Sequence, residues 1–331
     1  VNERIPRLFR DGITAANATD GATIDFSQYR AFAVFHAGLG GESGQKLNDI
    51  PSAFLSAQDL IELSDGPIPV NNNTFQVASG LLLPEAISTN GRGGLNGTLA
   101  RFFASQLGLP GLSDFENDLP AIGDWSLMDT GANNLVDATR LGLQPLPGES
   151  DGSDGDNFGT TLIGFLPSRM IAWSRIQLGW IEPLIVTRND TVQIAAPNTQ
   201  SDLPRVVKVP ISATEYFLIE NRRSRLAVEN RIPQIEFSTP HNVWLSVDDY
   251  DALIPGSGIL IYHIDDTVIN ASTEEKHINS HPDYEIAFAQ YRRGISLEEA
   301  DGLEDIGNIS ASRAIQSGII SFSSIEGAPE D

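Results

Sequence analysis

Near the start of the chain, RIPRLFRDGITAAN spaces its apolar residues three and four apart, which predicts an amphipathic helix. YRAFAVFHAG follows as a short apolar run closed by glycines and reads as a buried strand, while SAFLSAQDLIEL reads as helix or loop. TFQVASGLLLPEAIS has the pattern of a strand pair, or of one strand with an irregular end. A second helix is predicted from about Gly94 to Leu107, with Gly108 capping its C-terminus and Pro110 just beyond. Next come the loop DFENDLPAIGDWSLMDTGANN, the Gly/Asp/Pro-rich LPGESDGSDGDNFGT and a helix within PSRMIAWSRIQLGW. From about Pro183 the pattern changes to short alternating runs, RVVKVPI, EYFLIENR and GILIYHID, separated by Pro, Gly and Asn, which predict strands. No repeat of fixed period occurs. The expected fold is α/β or α+β, with a first unit over residues 1–185 and a β-rich unit packed on it over residues 186–331.

At 331 residues the chain is long enough for two closely packed units. Its 40% hydrophobic content with 30 Gly and 19 Pro describes a folded, loop-rich protein rather than a disordered one. Forty-four acidic against 21 basic residues give a net charge of -23, which repels nucleic-acid phosphates and anionic membranes and favours cations such as calcium. An acidic surface also keeps a protein soluble in a salty or extracellular medium. With no cysteine there is no disulfide, thiolate metal site or cysteine nucleophile. No apolar run approaches the roughly 18 residues of a transmembrane helix, and no signal-peptide pattern opens the chain. The non-Met start at Val1 reads as the edge of a processed or trimmed precursor. Six Asn-x-Ser/Thr sequons, at Asn17, Asn72, Asn96, Asn189, Asn270 and Asn308, compare with about three expected by chance and suggest a glycosylated surface.

The five histidines form no His-x-x-x-His pair on a helix. His277 and His281 are four apart, but HINSHPD is interrupted by Asn, Ser and Pro, so these two with Asp283 offer only a loop metal site. His241 has no such companion. His263 in LIYHIDD reads as a core or rim histidine, and His36 ends a strand before AGLGG. GLGGESG lacks the Lys-Ser/Thr of a phosphate loop, and the nearest approach to a serine-hydrolase elbow is GESDG. A glycosidase-type carboxylate pair stays open among so many acids. DGSDGDN puts Asp151, Asp154 and Asp156 on a Gly-rich loop without a distal bidentate Glu, and Asp114, Glu116 and Asp118 make a second acidic cluster; both are candidate calcium loops.

Several blocks recur in the order and spacing of one family. LARFFASQLGLPGLSD, IGDWSLMDTG, AWSRIQLGWIEP, YFLIENR, GSGILIYHIDD and EEADG, with FAVFHAGLGGESG upstream, resemble the immune inhibitor A-type secreted zinc metallopeptidases over roughly residues 25–305. In that family the helix carries His-Glu-x-x-His followed by Gly-Leu-Pro-Asp. Aligned on LGLP, the resemblance places Arg101 at the first His, Phe102 at the general base, Ser105 at the second His and Gly111 at the acidic position. Arg cannot give up its proton to bind a metal, Phe has no base, a lone Ser is a poor zinc ligand and Gly has no side chain. Met128 matches the methionine segment beneath the family's metal, and Trp125, Trp173 and Trp180 read as packing residues.

The resemblance therefore implies a metallopeptidase-like first unit with no zinc and no catalytic residue. It implies a secreted or surface pseudopeptidase that binds a protein partner or assembles into surface layers or filaments. An active extracellular hydrolase with a non-standard site, and a regulator of an active peptidase, are the alternatives. Arg101 would need an anion, with Asp114, Glu116, Asp118, Asp124 and Asp129 nearest in sequence. The adjacent Phe102 and Phe103 should face different sides, one entering the core.

Overall fold

The computed structural model describes residues 3–41, 49–87, 94–115, 119–137, 161–238, 243–272, 278–280, 293–299 and 306. It is an α+β protein in which helices mix with several small sheets. Two compact units emerge from the contacts, one of residues 1–108 and 135–165, the other of residues 109–134 and 166–331. The sequence division at residue 185 falls inside the second of these.

In the first unit, helix α1 (Arg4–Asp20) buries Pro6, Phe9 and Ile13, the stripe its spacing predicted. Strand β1 (Ala33–Leu39) is followed by β2 (Ala53–Leu55) and α2 (Ala57–Leu63), so SAFLSAQDLIEL divides into a strand and a helix. The division falls at Ser56, whose hydroxyl accepts from the Asp59 amide at 3.1 Å while its own amide donates to the Asp59 carboxylate at 2.9 Å. That reciprocal cap starts the helix. Strands β3 (Ile68–Val70) and β4 (Phe75–Val77) form a hairpin, and β5 (Gly80–Ala86) is the central strand of a sheet ordered β1-β5-β2. TFQVASGLLLPEAIS thus supplies two strands that pair with other partners rather than with each other. Helix α3 (Leu95–Gln106) and the short antiparallel pair β6 (Leu135–Asp137) and β7 (Thr161–Ile163) complete the unit.

β1 is not the buried strand its apolar run predicted. It lies at the sheet edge with Phe35 56% exposed, whereas Leu81, Leu82 and Leu83 of β5 are buried. An apolar run marks a strand but not its place in the sheet. Phe9 is fully buried because Gly80 carries no side chain: a Cβ there would lie 2.1 Å from the Phe9 ring and 2.8 Å from the Phe32 carbonyl oxygen.

The first α-helix of the second unit is α4 (Ala172–Gln177), shorter than the predicted helix because the chain stays extended through Ile171. Strands β8 (Leu184–Ile185), β9 (Val206–Pro210) and β10 (Glu215–Arg222), helix α5 (Arg225–Glu229), hairpin strands β11 (Ile235–Ser238) and β12 (Val243–Val247), strand β13 (Gly258–Asp265), helix α6 (Asp266–Ala271) and strand β14 (Ile295–Leu297) follow. The main sheet has the order β14-β13-β10-β9-β8, with β10 and β13 antiparallel from Glu215↔Asp265 to Arg222↔Gly258. On β10, Tyr216, Leu218, Glu220 and Arg222 alternate onto the buried face.

Two of those four are charged. The fully buried Arg222 donates from Nε to Asp251 at 2.9 Å and from Nη2 to the same carboxylate, and Nη1 reaches Glu220 at 3.4 Å and the Trp125 carbonyl at 3.2 Å. Glu220 also accepts from the Tyr262 hydroxyl at 2.8 Å, the Ala172 amide at 3.2 Å and the Arg175 guanidinium. Burial opposes the Arg222 charge, but Asp251 and Glu220 outweigh it and raise its pKa. Burial lowers the Arg175 pKa, against the attraction of Glu220.

Three predictions follow from these contacts. Gly80→Ala should cost about 1–3 kcal/mol in urea unfolding, since the added methyl must displace Phe9. Asp251→Ala should cost about 3–5 kcal/mol by stranding a buried cation, while Arg223→Ala, which loses only the exposed pair with Glu229, should cost less than about 1 kcal/mol. Burial, reinforced by Glu220 at Tyr262 and by Asp266 at Tyr216, raises both tyrosine pKa values above the ordinary 10.0. The unfolded chain ionises these phenols first, so their contribution is complete below pH 10 and declines as pH rises above it. Urea midpoints should therefore fall with alkaline pH, less steeply in Tyr262→Phe.

Candidate functional site

Helix α3 begins at Gly94, whose extended backbone donates its amide to the Ile163 carbonyl at 2.8 Å. A Cβ on Gly94 would sit 2.8 Å from the Phe165 Cα, so only glycine permits this approach. The Gly97 amide reaches the Gly164 carbonyl at 2.9 Å, and Asn96 Nδ2 reaches that of Phe165 at 3.1 Å. The helix stops where predicted: Leu107 is its cap and Gly108 turns away at φ 96°.

Arg101 and Ser105, four apart, share one face of α3, and with Phe102 they are half-buried. The Ser105 hydroxyl donates to the Arg101 carbonyl at 3.3 Å, folding back on its own helix. Arg101 itself has an interaction partner. Neither phenylalanine enters the buried core: Phe102 is half-buried, Phe103 is 43% exposed, and the small Ala104 is the residue packed fully inward. A cation, a phenyl ring and a hydroxyl bonded to backbone do not form a zinc-binding set.

In the second unit, Gly111 lies in a loop, and a Cβ there would lie 2.3 Å from the tip of the Phe115 ring, which is 42% exposed and would have to turn aside. The Leu112 amide donates to the Met128 carbonyl at 2.8 Å, and Met128 is fully buried. Asn279 donates to the Leu112 carbonyl and accepts from the Ile295 amide, both at 2.9 Å, which joins this loop to the start of β14.

Asp129, next to Met128, is the best-satisfied carboxylate of the loop. Oδ2 accepts the amides of Ala121, Ile122 and Gly123 at 2.9, 2.7 and 2.9 Å, and Oδ1 accepts Ser113 Oγ at 2.6 Å and the Thr130 amide at 2.8 Å. Both oxygens organise backbone, which accounts for its full burial without a metal or a cationic side chain. Asp124 accepts the Thr130 hydroxyl at 2.6 Å. Sequence reading weighed Asp129 only as a counterion for Arg101, although an aspartate directly before Thr-Gly is itself a turn-forming signal.

Of the acidic cluster after α3, Asp114 is buried and exchanges backbone hydrogen bonds with Leu119, while Glu116 and Asp118 lie outside the described residues. Asp151, Asp154 and Asp156 also lie outside them, as do His241, His277, His281 and Asp283. Among the described residues no group of three or more His, Cys, Asp or Glu side chains is arranged to hold a metal ion. His263 is a rim residue, its Nε2 2.9 Å from Glu215 and its ring against Phe217. His36 is half-buried on the edge strand β1, its Nδ1 3.0 Å from the Ala37 carbonyl oxygen. Trp173 is buried and Trp125 half-buried, but Trp180 is 58% exposed, contrary to a packing role. The chain leaves α4 through Gly179 at φ 68°, which carries Trp180 off the buried face of the helix.

No protein-family model, no curated protein and no solved structure matches this chain. Among the described residues, no helix is long and apolar enough to cross a membrane.

The Phe115 ring makes the Gly111 position testable. Gly111→Asp should lower stability by less than about 1 kcal/mol, because the exposed Phe115 ring can turn aside, and Phe115→Ala combined with it should cost less than the two single changes added together. Urea unfolding of the two single variants and the double variant measures that coupling.

Proposed function

We propose that this chain is a catalytically inactive, metallopeptidase-like protein that works outside the cell by binding a protein partner or by assembling with copies of itself. The observation that carries the reading is the condition of α3. The helix keeps its glycine-dependent start and stop, while its (i, i+4) face offers Arg101 and Ser105 and the intervening base position holds Phe102. The net charge of -23 favours cationic partner surfaces or calcium over nucleic acid.

Metal analysis and peptidase assay together test this reading. The purified chain should carry no stoichiometric zinc and cleave neither casein nor a peptide library; about one tightly bound zinc per chain, or metal-dependent cleavage, would sink it. Arg101→His, Phe102→Glu, Ser105→His and Gly111→Asp, made with Phe115→Ala to clear space, should raise zinc affinity without efficient proteolysis. Groups that orient metal ligands matter about 10- to 100-fold each, and these substitutions do not rebuild them.

A further inference from the structure

The main sheet of the second unit ends at β8, and the outer edge of that strand is apolar and open. In the order β14-β13-β10-β9-β8 it is the last strand, with Leu184 43% and Ile185 60% exposed and Trp180 just before it 58% exposed. β8 runs parallel to β9, Leu184 opposite Val207 and Ile185 opposite Lys208, and the Val186 amide donates to the Lys208 carbonyl at 2.9 Å. Along an extended strand the backbone groups of successive residues point to opposite sides. Val186 therefore turns its amide to β9, while the N–H and C=O of Ile185 point away from the sheet. An exposed apolar edge of this kind is a template for another strand.

The charges flanking the edge select what that strand is. Ile185 stands midway between Glu182 and Arg188, three residues from each, and both charged side chains are exposed. Antiparallel pairing of the segment with a second copy, about a two-fold axis at Ile185, sets Arg188 of each copy directly opposite the partner's Glu182. Leu184 then meets the partner's Val186 on the same face, and the two Ile185 side chains meet on the other. The two Ile185 residues exchange both backbone bonds, and the Thr187 amide donates to the partner's Pro183 carbonyl. Pro183 has no N–H, so one bond is left unmade at each end, where a strand tolerates it. With a net charge of -23, copies of this chain repel in general, and a surface for self-association has to balance its charges locally. This segment does so only against itself: a uniformly acidic or basic partner would leave Glu182 or Arg188 facing a like charge.

We propose that β8 is the edge of a homodimer, two copies pairing antiparallel about Ile185 and joining their five-stranded sheets into one. The inference rests on the self-assembly branch of the function proposed above and names its surface. Each copy has a single β8 edge and the pairing is two-fold, so association through it closes at the dimer. The contact is short, and interfaces of that size are weak and reversible.

Sedimentation velocity of the full chain tests the proposal. The protein should pass from monomer to dimer between about 1 and 100 µM. Glu182→Arg and, separately, Arg188→Glu place like charges together at both contacts and should each raise the dissociation constant at least about tenfold. Mixing the two variants should restore the dimer, because each supplies the charge that the other lacks, and so should both changes made in one chain. Ile185→Pro removes the outward N–H but no bond to β9; it should abolish the dimer while far-ultraviolet circular dichroism stays unchanged. A chain that is monomeric at all concentrations, or an oligomer whose affinity ignores these charges, would overturn the inference. Either result leaves the metal and peptidase tests above untouched, and bound zinc would sink that reading without shifting the dimer equilibrium.

Discussion

A buried arginine fixes the second unit. Arg222 lies on the inward face of a strand whose other inward residues include Tyr216 and Leu218, a place where an unpaired cation would be prohibitively costly. It is tolerated only because Asp251 and Glu220 approach it and the Trp125 carbonyl accepts a further hydrogen. Those partners come from different parts of the chain: Asp251 from the loop before β13, Glu220 from the same strand, Trp125 from the turn after residue 120. Glu220 in turn recruits Tyr262 of β13 and Arg175 and Ala172 of α4. Helix, sheet and two loops must therefore reach their positions together, or the charges are stranded. Such a network adds little net stability compared with an apolar core, but it penalises other arrangements of the same elements.

Asp129 solves the same problem by different means. With no cationic side chain among its hydrogen-bond donors, it is held by four backbone amides and one hydroxyl. The cost of burying a carboxylate is offset by closing a turn whose amides would otherwise lack partners. These bonds give the segment around Met128 a defined shape.

The elements were legible where local chemistry alone decides. Gly108 and Pro110 marked the end of α3, and the apolar stripe of α1 gave its buried face directly. Legibility failed where the answer depends on distant partners. YRAFAVFHAG looked buried, yet edge or centre is settled by β5 pairing on both of its sides. Trp180 looked like a packing residue because tryptophan usually is one, but Gly179 redirects the chain before it. EYFLIENR showed the strand and its alternation, not that Glu220 and Arg222 would share the buried face, because period-2 patterning treats a paired charge as a solvent-facing one. At the candidate site, the unsuitable residues of α3 were readable in full. The ring of Phe115 beside Gly111 was not, since a loop's side-chain placement leaves no periodic trace.

On the function proposed above, α3 would be a helix whose chemistry was lost without loss of fold. What holds α3 in its place is a set of small residues: Gly94 allows close approach to Phe165, the Gly97 amide bonds the Gly164 carbonyl, Thr98 and Ala104 fill the buried side, and Gly108 ends it. The positions that would carry metal chemistry in the resemblance are others, Arg101, Phe102 and Ser105, and all are half-buried. Arg is a good helix former, Phe and Ser are acceptable ones, and none of the three is asked to fit a fully packed environment. Side chains can change at such half-buried positions at little cost in stability, whereas a side chain at Gly94 would collide with the Phe165 backbone. On the function proposed above, loss of metal side chains would be the structurally inexpensive route away from catalysis, and a helix with intact ends and an altered centre is the form it would leave behind.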